Sequence, residues 1–411
     1  MRRPRPWLTI PIAAAGATIL AFPFLSIEGD GTGARITARA LQLGGAVLVL
    51  GYAGWGLRLL HGVVKPRVDL AGPAMLARLA DRRVVFALSG ALILGAVIFQ
   101  RFAPGEHVNL AFETLVYMTL ALGLNVVVGY GGLLVLGYAA FWAIGAYTFA
   151  ILTLHFGLNM WVAFPVSGLA AMLAGLLVGL PSLRLRGDYL AIVTLGFGEV
   201  VYYFLKTEVD LTGGEMGLPN KDIRGSLQAH TSLHIPGIVD TGPLTDVGQY
   251  FWPALLLVIL AVVVIKGVEK SRIGRALVAM REDEIAAQCM GINTVRLKLS
   301  TFAFAAMWAG FAGVLWAAKT DFVTPKHFYF IESAWILAMV VLGGMGSIPG
   351  VMVGAVVIYA VPPLLRQEFP DFQHYRLLVF GALMVLVMIY RPQGLFGFRR
   401  QTAPAEEEEA S

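Results

Sequence analysis

Cysteine and charge are what this 411-residue sequence has least of. Its single cysteine, Cys289, excludes an intramolecular disulfide and any cysteine metal cluster. Only 14% of residues are charged, against about 25% in soluble domains. Familiar chemical signatures are missing as well. There is no G-x-x-x-x-G-K-[ST] phosphate loop, no H-E-x-x-H, no G-x-S-x-G and no dinucleotide fingerprint. Of the 7 scattered histidines only His230 and His234 have a helical ligand spacing, in a polar loop without further ligands, so no metal site is expected. The spans offer few candidates for a nucleophile–base pair, so an enzyme is the weaker class and no catalytic residue is expected.

What is present is apolar. Hydrophobic residues make up 57% of the chain, and uncharged runs such as 132–154 and 247–265 reach membrane length, since a spanning helix needs about 20 apolar residues. The 47 glycines suit close helix packing in lipid. The expected fold is therefore an all-α polytopic membrane protein. Spans are expected near 7–27, 37–60, 84–100, 108–128, 132–154, 161–183, 189–205, 248–265, 299–318, 333–345, 349–365 and 376–390. The tenth is short enough to dip into the membrane rather than cross it, giving about 10–12 transmembrane helices with Gly-rich breaks. Basic residues gather at 2–5, 58–83, 184–186, 266–298 and 391–400, which places those segments and both termini in the cytoplasm. Arg2 and Arg3 precede an apolar core of nearly span length, so an uncleaved first helix is expected rather than a signal peptide. Residues 1–83 read as an extra helix pair with a basic linker, 84–397 as the core, and 398–411, with "AEEEEAS", as a disordered acidic tail. The long external loop, about 207–246, contains "TGGEMGLP" and reads as a functional or partner surface.

Polar groups inside the spans are few. Glu199 falls near the middle of its segment, where a carboxylate must face the bundle interior or a wet cavity, either lining a solute path or packing against a neighbouring helix. Glu113 lies nearer the outside and reads as structural. Asn125 is followed by Gly129, Gly131 and Gly132, which should break the helix. Such a break either exposes backbone groups to a polar solute or allows close helix packing. "VLGGMGSIPG", 341–350, is a second break, read as a re-entrant turn or a tight corner. Between two long apolar runs stands the charged stretch "REDEIAAQCMGIN", 281–293. Gly274 and Gly291 bracket a stretch able to form one helix, with Gly291 stopping it and Asn293 capping the next. Leu277 and Met280 share one face, and Ile285 and Cys289 extend an apolar side. The acids 282–284 disfavour anionic lipid, so the amphipathic helix suits a protein partner.

Ala286, Ala287 and Gly291 match the spacing of the coupling-helix loop of ABC importer permeases, Glu-Ala-Ala, three residues, then Gly. Ile285 stands at the usual Glu position, with Glu284 one residue earlier, and the distal Ile-x-Leu-Pro is absent. "LRGDYLAIVTLGFGE" (185–199), "TGGEMGL" (212–218), "GRALVAMREDEIAAQCMGIN" (274–293), "VTPKHFYFIESAWILAMVVLGGMGSIPG" (323–350) and "YRPQGLFG" (390–397) resemble the branched-chain amino acid ABC importer permeases, most closely the M-type subunit. "LNVVVGYGGLLVLGYAAFWAIGAY" (124–147) fits too, with Val135 and Tyr138 where many relatives carry Ser and His. The resemblance covers roughly 105–397, and the longer members also have extra N-terminal helices.

It implies an ABC importer permease bundle in the bacterial inner membrane. Its partners would be a second, H-type permease, two cytoplasmic ATPases, and an external or periplasmic binding protein that delivers leucine, isoleucine or valine. ATP and Mg would sit on the ATPases, with no cofactor bound by this chain and no nucleic acid partner. Arg281, Glu282, Asp283, Glu284, Ala286, Ala287 and Gly291, in the loop about 267–297, would couple to the ATPases. Asn125, Gly129, Gly131, Gly132 and Glu199 would line the translocation path, and Thr212, Gly213 and Gly214 the outer mouth. Importers of urea or short-chain amides use similar permeases. A proton-coupled transporter with Glu199 as carrier is the alternative from another class.

Overall fold

The computed structural model describes residues 105–182, 188–219, 233–235, 239–241, 247–320 and 322–368, with isolated residues between 381 and 394. All belong to one compact unit, Phe99–Ser411. The expected N-terminal helix pair and linker, the span 84–100, the basic cluster 184–186, His230, most of the external loop beyond Pro219, most of the last span and the acidic tail lie outside the described residues.

The apolar runs form helices in order: α1 Gly105–Asn125, α2 Tyr138–Phe156, α3 Met160–Ser182, α4 Asp188–Thr207, the short α5 Val209–Thr212, α6 Val247–Lys270, α7 Arg272–Glu282, α8 Glu284–Cys289, α9 Thr294–Lys319, α10 Phe330–Gly343, α11 Ile348–Ala355 and α12 Val361–Glu368. π-Helical turns continue α1 through Val126–Tyr130 and join α11 to α12 through Val356–Ala360. Strand β1, Leu218–Pro219, pairs antiparallel with β4, Phe322–Val323, and β2, Leu233–Ile235, pairs with β3, Val239–Thr241. Among the described residues eight helical rods are long and apolar enough to cross a membrane, each matching one expected span. The fold is all-α and polytopic.

Three boundaries differ from expectation. The span expected from 132 starts as helix only at Tyr138, because Gly132 leaves the π turn with φ +67° and 133–137 is irregular. The span expected from 299 starts at Thr294, because Asn293 caps it and the charge of Lys298, which hid the start, is buried against Glu284 at 2.7 Å. The tenth span is a 14-residue helix, α10, about 21 Å long at 1.5 Å per residue, extended at its start by a 3₁₀ turn, Pro325–Phe328. After Gly344–Ser347 the chain folds back as α11. A Cβ on Gly354 would collide with the Met339 carbonyl and stand 3.0 Å from Gly343 N, so 341–350 is a tight corner.

α9 is the axis of the bundle. It packs against α2 where a Cβ on Gly145 would collide with Gly310 Cα and stand 2.5 Å from its carbonyl oxygen. On its other side Gly310 faces α3, 2.7 Å from Ala171 Cβ by the same construction. In lipid, where apolar burial gives little drive, such close backbone approach supplies the packing. Rings fill the wider part. Trp142 meets Trp316 and Phe328 edge to face, at 5.3 and 4.8 Å between centroids.

At the end remote from the 271–293 loop, Glu113 accepts from Lys319 Nζ at 2.8 Å and from Tyr359 Oη at 2.7 Å. Tyr117 stacks on Tyr359 and donates to Glu332 at 2.6 Å. The network ties α1 to α9, α10 and the second π turn, a structural task for Glu113. The outward stripes of α3 (Leu169, Leu173, Leu177, Leu180) and α6 (Leu256, Ile259, Leu260, Val263) are aliphatic and suit lipid. The outward face of α4 is different, with Tyr189, Ile192, Val200, Tyr203 and Phe204 exposed beside the partly exposed Glu199.

Candidate translocation and coupling site

The loop between α6 and α9 is built from caps. Ser271 Oγ accepts from the backbone N–H of Ile273 and Gly274 at 3.1 and 3.3 Å and starts α7. The single helix expected between Gly274 and Gly291 is broken at Asp283. This residue is extended (φ −152°, ψ 113°), ends α7, and starts α8 by accepting from Ile285 N and Ala286 N at 2.8 and 3.0 Å. An aspartate that can take two orphan N–H groups favours the cap over the helix interior. Gly291 ends the segment with φ +82°, and Asn293 Oδ1 caps α9 through Arg296 N at 3.0 Å, both as expected.

Leu277, Met280 and Ala287 face inward, at 1, 5 and 3% exposure. Ala287, expected to admit an ATPase closely, is therefore buried inside its own chain. Its turn of the helix is held down by Lys298–Glu284 and by Gln288 Nε2 donating to Thr294 Oγ1 at 2.8 Å. Glu282, Asp283 and Ala286 stay exposed with Ile285, Cys289 and Met290. An Ala287→Trp change is thus expected to lower folded abundance rather than ATPase affinity alone. Comparing monodisperse protein with that of Ala286→Trp, expected near wild type, checks this. Lys298 escaped the sequence reading. Its signal was a lysine inside the first turns of an apolar run.

The first Gly-rich break lies against this loop. Arg281 Nη1 donates to the Gly129 carbonyl, and Gly346 N donates to Asn125 Oδ1 at 2.9 Å. A Cβ on Gly129 would collide with Asn125 Oδ1 and stand 2.5 Å from Gly346 N, and one on Gly131 would stand 2.7 Å from Val127 O. Of Asn125, Gly129, Gly131 and Gly132, all expected along the solute path, Asn125, Gly129 and Gly132 meet the second Gly-rich break or the charged loop, while Gly131 packs on its own turn. None of them lines the cleft that holds Glu199.

That cleft lies where α2, α4 and α10 meet. Leu136, Gly137, Leu195, Glu199, Phe328 and Ser333 are among its walls, and its volume is about 10 Å³, room for about one water. Its walls are fixed by polar pins. Leu136 N donates to Thr194 Oγ1 at 3.1 Å, and Ala139 N to Ser333 Oγ at 2.9 Å. The irregular backbone before α2 is tolerated because it lines a cavity and the N–H groups of Leu133 and Leu136 are satisfied. Glu199 lines it too, and among the described residues no hydrogen bond or ion pair holds its carboxylate. Thr194 and Ser333 were missed, although both lie in the quoted motifs. A small polar residue within an apolar run was the available signal.

At the other end of α4, Thr212 is buried and its Oγ1 donates to Leu205 O at 2.8 Å. Gly213 and Gly214 turn the chain with φ +71° and +59°, and β1 then docks onto β4. These three residues shape the loop from within. Glu215 stands exposed at its tip, 3.7 Å from Lys206 and 3.8 Å from Lys326.

Membrane-length helices with broken spans, a carboxylate-lined cleft between them and a capped helical loop are the architecture of a multi-pass membrane protein, and the family it matches places it among transport permeases. Residues 107–388 match the family described as the branched-chain amino acid transport system permease component, and the chain belongs to that family. It is 46% identical over 321 residues to the high-affinity branched-chain amino acid transport system permease protein LivM of Salmonella typhimurium, covering 75% of this chain and 74% of that one. LivM of Escherichia coli is 46% identical over 322 residues, with the same coverage. LivH of Salmonella typhimurium, a permease protein of the same named system, is 31% identical over 196 residues, covering 47% of this chain and 60% of its own. No solved structure matches the chain.

Proposed function

We propose that this chain is the M-type permease of an ATP-driven importer of leucine, isoleucine and valine, with ATP and Mg held by two separate ATPase subunits. The observation that carries the energy source is the α7–α8 loop. It offers an exposed surface (Glu282, Asp283, Ile285, Ala286, Cys289, Met290) while its other face is pinned to α9 and to the broken end of α1. The names of the LivM relatives support the substrate. The loop end of the bundle is the cytoplasmic end, both termini are cytoplasmic, and the membrane is the bacterial inner membrane. A periplasmic binding protein delivers substrate at the opposite end, near Glu215.

The second, H-type permease covers the aromatic face of α4, because a carboxylate at this depth is disfavoured against lipid. The path then runs along that interface past Glu199. Glu199→Gln is expected to lower uptake about tenfold with folded protein unchanged, as when an ionic hydrogen bond to a charged solute is lost. Unchanged uptake would return Glu199 to a packing role.

The test of the function is uptake of labelled leucine into proteoliposomes holding the permease pair, the ATPases and the binding protein. Uptake is expected to need ATP, to persist when the proton gradient is collapsed, and to be competed by isoleucine and valine but not by urea. Dependence on the proton gradient alone, or competition by urea or acetamide alone, would overturn the reading.

A further inference from the structure

Arg281 belongs to the loop and is exposed at its surface, yet its guanidinium also reaches the broken end of α1. Nη1 donates to the Gly129 carbonyl, 152 positions away in sequence. That oxygen belongs to the π turn ending α1, where terminal carbonyls lack intrahelical partners and a cation is favoured. The side chain passes over Gly132, where a Cβ would stand 2.7 Å from Arg281 Cγ, and Nη1 lies 3.6 Å from where a Gly346 Cβ would stand. Gly346 N itself donates to Asn125 Oδ1, one turn before Gly129. One cation therefore sits where three segments meet: the end of α7, the broken end of α1, and the α10–α11 corner.

We propose that Arg281 is a positioning residue that transmits displacement of the loop into the membrane helices by moving the broken end of α1 together with the α10–α11 corner, without itself touching an ATPase. This rests on the reading of the loop as the ATPase docking element. The loop has one fixed point, α8 held to α9 through Lys298 and Glu284, and one working point, Arg281. The working point acts on a π turn, a wide and less regular helical segment that is easier to rearrange than the α-helix before it. The turn is itself buried, Val126–Tyr130 throughout, so a displacement there is passed to the helices packed on it. A pull on the Gly129 carbonyl thus acts at the end of α1 that the α10–α11 corner also holds.

The test uses the complete complex with Arg281→Met and Arg281→Lys, read for bound ATPase, ATP hydrolysis and leucine uptake. Both variants are expected to keep the ATPases and to hydrolyse ATP. Uptake per ATP hydrolysed should fall about tenfold in Arg281→Met, the scale of one lost charge-assisted hydrogen bond. Arg281→Lys should lie between, since an ammonium is a compact cation without the planar fork. A merely structural arginine would lower hydrolysis and uptake together. An unchanged ratio in Arg281→Met overturns the proposal. So does loss of ATPase binding, which would make Arg281 a docking residue, and so does loss of folded chain in both variants. If the unmodified complex showed no ATP-driven uptake or no bound ATPase, the importer reading itself would fail instead.

Discussion

Leucine at Gly145 is expected to leave almost no folded protein in the membrane. The three atoms nearest a Cβ at that position all belong to the Gly310 backbone, the closest in collision and the others at 2.5 and 2.8 Å. A flexible side chain could swing aside, but a helix backbone cannot. The α2–α9 seam would have to separate, and Gly310 is also wedged against α3 at Ala171 and Ser167. The cost should exceed the roughly 1–3 kcal/mol of ordinary overpacking, in a molecule whose helices are held in lipid by packing itself. Gly267→Leu is the control, since nothing lies within 4 Å of a Cβ there. Monodisperse protein from each variant, measured at equal expression, checks the pair. Comparable yields would show that the seam is looser than described.

The second large effect concerns Lys298 and Glu284. Lys298 is 2% exposed and its ammonium lies 2.7 Å from the Glu284 carboxylate. Glu284→Ala leaves that cation buried without its anion, a change that costs about 3–5 kcal/mol in comparable buried pairs. Lys298→Met with Glu284→Gln removes both charges and should recover most of the loss, because an apolar replacement of a buried pair is often neutral. Thermal unfolding of the purified single and double variants measures this. A single variant as stable as the wild type would mean the pair is not an anchor, and the loop would lose its fixed point on α9.

The parts legible in the sequence are those with local causes. Uncharged length made the spans visible, and the stop at Gly291 and the cap at Asn293 follow from side chains acting within a few residues. The break at Asp283 was equally local but ambiguous, since Glu-Asp-Glu reads as well on the polar face of a helix as at a cap. What the sequence hid depends on distant partners. Arg281 is the surface charge it looked like, but its hold on the Gly129 carbonyl was hidden because that acceptor is 152 positions away. Lys298 looked like the edge of the membrane because its anion lies on another helix. Asn125 and the glycines after it were recognisable as a break, but what that break faces is decided by Gly346 and Arg281, not by neighbours in the chain. The cleft around Glu199 needed three helices to exist, so its wall at Ser333 and the Thr194 that pins Leu136 carried no stronger signal than a hydroxyl in an apolar run.

The most direct test of the central claim, that the exposed face of α8 is where the ATPase engages, uses a probe already in the chain. Cys289 is the only cysteine of the sequence and is exposed on α8, beside Ile285 and Met290 at 58 and 82% exposure. Its rate of reaction with a maleimide can be followed in the purified permease pair, with and without ATPases whose own cysteines have been replaced. The account predicts fast labelling of the pair alone and strong protection once the ATPases are bound. Equal rates in the two samples, with the ATPases shown to be bound, would contradict it.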